Sequence, residues 1–377
     1  MSSKNDIDVA VLCSGLDNVR RGYETHSRML FTKLVAEDVF KSCRLFKGSG
    51  KSEKNETVIP RPSRRGLIVT ILKRIRGTNL YWEYFFFALG FVIYSVMTRT
   101  KFDVLVTIEP EVCKWVDRFR KLIGTPRIIY THGVWRDPAA YVNGADVVHE
   151  VNVENYERSV AFSKDNKVRA QIELIPHFCD YEVERMDKQQ CREKLGLKTK
   201  HVLLSVGAID RNHKRMDYLV EEMTGLSEDW SLVLCGPILE PDIIDRAKEV
   251  LGDRFHHLLV PRDEIRYVYG CADVFVLAAT TEGFGIVLLE AMASGLPIVV
   301  HATEQFSWLF GGDNCCIDMA QKGELVRFLK ARTAEDNWFS RIGEQNAEKY
   351  ETEYTWKVVR ERYLKLIETA YQRGAKK

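Results

Sequence analysis

Short apolar, β-branched runs recur along the chain, and amphipathic stretches separate them. Residues 7–13 hardly alternate between polar and apolar positions, as a strand covered on both faces does. Residues 102–107, 127–130 and 145–151 repeat that pattern, and a weaker strand falls within 45–63. A second series begins at 201–206 and continues at 230–235, 257–261, 272–277 and 297–300. Helices are expected from about 20 to 35, from about 154, and between the later strands. From Trp356 onward, Val358, Val359, Tyr363, Leu366, Ile367 and Ala370 form one apolar helical face. Strands alternating with helices make parallel sheets. Two such series predict an α/β chain of two doubly wound, Rossmann-like domains facing across a cleft.

Composition narrows the function classes. A length of 377 residues suits two cores rather than one. The net charge of only +2 gives no support to nucleic-acid binding. Nine cysteines lack any C-x-x-C pair, which predicts free, buried thiols in a reducing compartment. The polar start, Met1 to Asp6, does not read as a signal peptide, so a cytoplasmic location is expected.

One stretch changes this picture. Between residues 57 and 101 the cations Arg61, Arg64, Arg65, Lys73, Arg74, Arg76, Arg99 and Lys101 face a single acid, Glu83. Residues 66–72 are apolar between basic clusters, and 85–97 carry no charge. That run is shorter than the ~20 residues of a spanning helix. Two readings stay open: a buried helix with a solvated basic edge, or a basic, aromatic surface that attracts anionic lipid, with Tyr81 and Trp82 at the interface.

Candidate chemistry concentrates in residues 278–297, AATTEGFGIVLLEAMASGLP, between two predicted strands. Gly283 and Gly285 leave room for close backbone approach to a ligand. The helix expected from about Gly285 presents free N–H groups and the positive end of its dipole, which suits phosphate. Glu282 in the turn and Glu290 in the helix can accept hydrogen bonds from vicinal hydroxyls. The plainer reading is an ordinary glycine-rich β–α turn. It leaves both glutamates without a task.

The spacing of these glutamates, the E-G-F-G opening and the A-x-A-x-G-x-P-I-V-like close resemble the E-x7-E signature of retaining glycosyltransferases of family 4, with the GT-B fold. The likeness runs from about Ile7 to Tyr371 and is stronger in the second half. It implies sugar transfer, with retention, from a nucleotide diphosphate sugar of UDP or GDP type to a hydroxyl of a glycan or lipid-linked acceptor. It implies no further cofactor and no metal. The D-x-D at Asp6-Ile7-Asp8 lies in or before the first strand, far from any loop. In this family pattern Glu282 would hold the donor sugar and Glu290 the ribose. Lys214 would meet the diphosphate, with the backbone at Gly283, Phe284, Gly285 and Ile286. Val260 would hold the base through its backbone, and His132, at the end of a strand, would approach the sugar. A lone strand-end histidine is otherwise structural.

Departures from the pattern are visible. The family's arginine after residues 201–207 is replaced by Ala208, leaving Arg211 or Arg215 to supply charge. The paired glycines of the first loop are reduced to Gly22 after Arg21, with Gly15 earlier in that loop; Arg20 and Arg21 are either anion ligands or solvated. The exit motif I-P-N-G-x-D reads Ile175-Pro176-His177-Phe178-Cys179-Asp180. The likeness places an acceptor-side domain at 1–178, a donor-binding domain at 179–355 and a final helix returning to the first domain at 356–377. Rival readings are a GT-B epimerase or phosphorylase, and a silent sugar-nucleotide or membrane-binding protein.

Overall fold

The computed structural model describes residues 5–18, 22–62, 66–75, 77–179, 186–312 and 315–375. By internal contacts the chain divides into one unit of Met1–His177 with Val359–Lys377 and a second of Phe178–Val358. Arg20, Arg21, Arg64, Arg65, Arg76 and Asp180, all named above, lie outside the described residues.

The first unit holds the strands β1 (Asn5–Cys13), β2 (Phe40–Lys47), β3 (Glu56–Val58), β4 (Val104–Thr107), β5 (Arg127–His132), β6 (Val147–Glu150) and β7 (Gln171–Leu174). Its helices are α1 (Gly22–Glu37), α2 (Leu67–Ile75), α3 (Asn79–Thr98), α4 (Pro110–Phe119) and α5 (Val153–Asp165). The sheet order is β3-β2-β1-β4-β5-β6-β7, parallel throughout. The order reverses between β1 and β4. In an open α/β sheet that switch point, at the carboxyl ends of the strands, is where a crevice forms.

The near-continuous burial of β1, β4 and β5 explains their unbroken apolar runs. Start signals are local: the Asn152 side chain accepts from Asn155 N at 3.0 Å and caps α5.

The second unit repeats the plan. Its strands are β8 (His201–Val206), β9 (Trp230–Cys235), β10 (Phe255–Leu258), β11 (Val274–Leu277), β12 (Ile298–His301) and β13 (Cys316–Ile317). Its helices are α6 (Lys188–Leu195), α7 (Met216–Met223), α8 (Pro241–Leu251), α9 (Ile265–Gly270), α10 (Ile286–Ala293), α11 (Glu304–Phe310), α12 (Glu324–Thr333) and α13 (Trp338–Glu353). The parallel order β10-β9-β8-β11-β12-β13 puts the switch point between β8 and β11. The last helix, α14 (Trp356–Ala375), belongs with the first unit from Val359 on; there Tyr363 donates to Pro176 O at 3.1 Å and Arg360 pairs with Glu37 at 2.6 Å.

Three expectations are corrected. The stretch 257–261 overlaps a strand that runs Phe255–Leu258 and ends opposite Cys235, the last residue of its partner β9. The uncharged run 85–97 is part of a longer helix, α3, of 20 residues, long and apolar enough by length and composition to cross a membrane. One face of it nevertheless packs Tyr84, Phe87, Ala88, Phe91 and Val92 into the core of the first unit. Arg61, counted with the basic stretch, points inward. Its guanidinium pairs with buried Glu83 at 2.8 Å and donates to Ser14 O at 2.9 Å.

Candidate functional site

At the switch point of the second sheet, two loops bring opposite charges together. Beyond β8 the chain passes Gly207 and Ala208 to Asp210, whose Oδ1 accepts from His213 N at 2.6 Å and Lys214 N at 3.0 Å. That turn fixes the start of the Lys214 side chain. A Cβ on Gly207 would lie 3.1 Å from Lys214 Cε, so the glycine lets the lysine stem run across it. From the loop after β11, Glu282 meets the Lys214 ammonium in a half-buried ion pair. The other carboxylate oxygen, Oε1, accepts from Gly283 N at 3.1 Å, and His213 Nε2 stands 3.9 Å from Oε2, the oxygen that meets Lys214. Burial pushes the Glu282 carboxyl up, but Lys214 and His213 more than offset it and hold it below the ordinary range. The carboxylate is therefore ionised at neutral pH, and a ligand can exchange contacts with it and with the Lys214 side chain.

Glu290 lies within α10. It is 2 % exposed and lies within reach of two donors: the Tyr269 hydroxyl at 2.7 Å and the Arg262 guanidinium at 2.5 Å. The Arg262 guanidinium, besides this contact, leaves its side chain 57 % exposed. Val260, in the loop before it, places its backbone against the Cys235 thiol. Gly285 has φ 81°, which only glycine adopts at little cost, and its missing Cβ would meet Leu288 at 2.9 Å. It thus starts α10 with open N–H groups. Ile286 and Phe284 are buried, Phe284 with its ring edge toward Tyr354, so their side chains pack the interior.

The two candidate replacements for the absent arginine are already engaged. Arg211 pairs with Glu240 at 3.1 Å and with Asp242. Arg215 donates to Met319 O at 2.9 Å and Ala278 O at 3.3 Å and stacks on Tyr218, so it braces the loop ends. Lys214 is the cation at the glycine loop.

In the first unit, the loop after β1 is held by a carboxylate that the sequence pattern did not single out. Glu109, at the end of β4, accepts from Ser14 N at 2.8 Å, Ser14 Oγ at 2.7 Å and Gly15 N at 3.2 Å. Burial, against the lowering effect of Ser14, lifts its carboxyl to about 7. A Cβ on Gly15 would strike Glu24 at 2.2 Å, and Gly22 opens α1. His132, at the carboxyl end of β5, is fully buried; its Nδ1 lies 2.8 Å from Glu150 Oε2. Glu150, Arg262 and Tyr269 were also missed. Each carries an ordinary polar residue type at an unremarkable spacing, and only the fold brings it to a strand end or helix face. Among the described residues no group of three His, Cys, Asp or Glu side chains is placed to hold a metal. Asp8 of the D-x-D pairs with Lys41 at 3.0 Å, at the start of β1 and away from its carboxyl end.

Residues 200–328 match the family model for glycosyl transferases group 1. That match lies within the second unit. Over 220 residues the chain is 27% identical to mannosylfructose-phosphate synthase of Agrobacterium fabrum, covering 53% of the chain and 48% of that protein. It spans about half or less of the length of the curated relatives it matches. Among solved structures, sucrose-phosphate synthase of Thermosynechococcus elongatus superposes with a TM-score of 0.75 at 19% identity, over 97% of this chain and 99% of the other. HepE of Anabaena, solved with UDP and glucose, does so at 0.73 and 14% identity, over 95% and 98%. At such identities the likeness shows the fold, GT-B with two Rossmann-like domains.

Proposed function

We propose that the glycosyltransferase moves a sugar, with retention and without a metal, from a nucleotide diphosphate sugar of UDP or GDP type to a hydroxyl acceptor. The acceptor class is a growing glycan or lipid-linked saccharide in polysaccharide or glycolipid synthesis. The Lys214–Glu282 pair at the β8/β11 switch point carries the reading: it offers a cation beside a carboxylate, next to the amides that begin α10. A diphosphate draws Lys214 and the amides at Gly285 and Ile286 and takes the place of Glu282 on the ammonium. Glu282 is then released to accept from donor-sugar hydroxyls. Lys214 and these amides stabilise the charge that grows on the leaving diphosphate. Glu290 serves the ribose, the backbone at Val260 the base, and His132 the sugar. HepE, solved with UDP, supports the donor class by likeness of fold.

The proposal extends to location. On α2, Leu67, Ile68 and Ile71 are 76%, 55% and 50% exposed and are followed by Lys73 and Arg74. An apolar face flanked by cations suits the surface of an anionic membrane, where a lipid-linked acceptor is found. The protein is then a peripheral one on the cytoplasmic face.

A thermal-shift series with UDP, GDP, ADP and their common sugars, with EDTA present, tests the donor reading. A ligand of the folded state raises the midpoint by mass action. A rise with one nucleotide is expected. No rise with any would favour the silent protein that Ala208 and the engaged Arg211 and Arg215 suggest.

A further inference from the structure

The loop that follows β5 holds an aromatic ring out to solvent. Trp135 is 68% exposed, although it stands just past a buried strand end. Its loop is built to keep it there. The side-chain amide of buried Asn155, on α5, donates to Val134 O at 3.1 Å. Arg158, on the same face of α5, lays its guanidinium over the indole at 4.3 Å from the ring centroid. One helix therefore fixes both the backbone before the ring and the ring itself. After it, the Asp137 carboxylate accepts from Ala139 N at 3.0 Å and caps the next turn. With a guanidinium on one face and so much of the side chain exposed, the indole keeps its other face open.

The ring belongs to the carboxyl edge of the first sheet, where open α/β sheets take ligands on loops set by a rigid scaffold. Its neighbours are polar. Arg136 is held only by Glu111 at 4.0 Å. Arg158 Nη1 and Asn155 Oδ1 are buried and meet no hydrogen-bond partner among the described residues. Buried polar atoms are almost always satisfied, so one donor and one acceptor are left for hydroxyls or water. An apolar ring with donors and an acceptor beside it matches a pyranose, whose axial C–H bonds form an apolar face and whose rim of hydroxyls both donates and accepts. It does not match a bilayer, which needs an apolar patch. Here Arg136 and Asp137 follow a single ring in the chain and Arg158 lies on it.

We propose that Trp135, braced by Arg158 and Asn155, is a stacking platform for a pyranose ring of the saccharide acceptor, built wholly from the first unit. That the saccharide is the acceptor rests on the transfer reading above. That a saccharide binds at this ring does not.

The test uses the full chain labelled with fluorotryptophan and followed by fluorine NMR, the Trp135 resonance being the one absent from Trp135→Phe. The probes are methyl glycosides and neutral disaccharides of glucose, galactose, mannose and N-acetylglucosamine. Uridine, guanosine and phosphatidylglycerol vesicles serve as comparisons. Saturable movement of the Trp135 resonance with at least one saccharide is expected. Trp135→Ala should weaken that binding about tenfold or more, because it deletes the stacked surface. Arg158→Ala, which frees the ring, should weaken it about threefold. A resonance that stays still with every saccharide overturns the proposal, and so does movement with the nucleosides or the vesicles alone. In turnover, Trp135→Ala should raise KM for the acceptor about tenfold while KM for the donor stays within about twofold. An unchanged acceptor KM contradicts the acceptor assignment. If the wild-type chain transfers to no acceptor, the transfer reading fails by itself, and the resonance still decides whether the ring takes a saccharide.

Discussion

The candidate site is built on two charges that hold each other. Lys214 and Glu282 neutralise one another beside the first turn of α10. Replacing Glu282 by Gln keeps the shape and the Gly283 contact but removes the charge. Transfer is expected to fall by about a hundredfold or more, while the variant still folds. Near-normal turnover would show that Glu282 is misassigned. Lys214→Ala should weaken nucleoside diphosphate binding, read by calorimetry, more than it weakens binding of the nucleoside; equal losses would contradict a diphosphate role. The glutamates and Lys214 were legible because the turn and the glycines around them constrain the backbone, and that constraint is written in residue types. Glu109, Glu150, Arg262 and Tyr269 were not. Their meaning comes from partners 95, 18, 28 and 21 residues away, at distances no local pattern encodes.

Elements were read more surely than contacts. Burial on both faces produces apolar runs, so β1, β4, β8 and β11 were visible within a few residues. The ends were less visible, since the length of the partner strand β9 and not hydropathy sets where β10 stops. The basic stretch shows the limit best: charge counting put Arg61 on a surface, whereas it is a buried strut to Glu83. The exposed apolar side chains of α2 carry the membrane proposal. Substituting Leu67 and Ile71 by Glu should abolish co-sedimentation with anionic vesicles and leave the unfolding midpoint unchanged, because both side chains are half-exposed or more. Retained binding, or binding indifferent to lipid charge and salt, would remove the membrane reading. A second element prediction concerns the turn after β9. A Cβ on Gly236 would lie 1.9 Å from Gly207 O, a backbone atom that cannot move without shifting the Lys214 loop. Gly236→Ala should cost about 2–4 kcal/mol by urea denaturation. A change under about 0.5 kcal/mol would mean that the loop is softer than this packing implies.

At the scale of the whole chain, the first unit carries a pH dependence of its own. His26, His149 and His177 are buried together, with the rings of His26 and His177 3.8 Å apart. Burial pushes His26 down to about 3, with His149 adding to the effect; burial likewise takes His149 to about 4 and His177 well below its usual value. These folded-state values lie below the unfolded one. Their stabilisation is therefore complete above about pH 6.5 and is lost as the pH falls towards 4, at about 1.4 kcal/mol per pH unit for each ring. Glu109 acts in the opposite sense: its folded-state value, about 7, lies above the unfolded one, so its contribution is present in acid and lost as the pH rises through 7. Stability should peak near pH 6.5, and Glu109→Gln should flatten the fall just above it. A midpoint that does not change between pH 4 and 7 would contradict both assignments.

The two-domain plan was legible as two series of strands. Rossmann-like folds are periodic, and periodicity survives at identities as low as 14% with a solved relative. The acceptor is not legible in the same way, because loops rather than periods shape its site.

The central claim is sugar transfer driven by the Lys214–Glu282 site. Release of nucleoside diphosphate from UDP-, GDP- and ADP-sugars should be measured with a glycolipid extract as acceptor source, for the wild-type chain and for Glu282→Gln side by side. The account predicts release with one nucleotide, dependent on the extract and reduced about a hundredfold or more in the variant. Release by neither protein, or equal release by both, would contradict it.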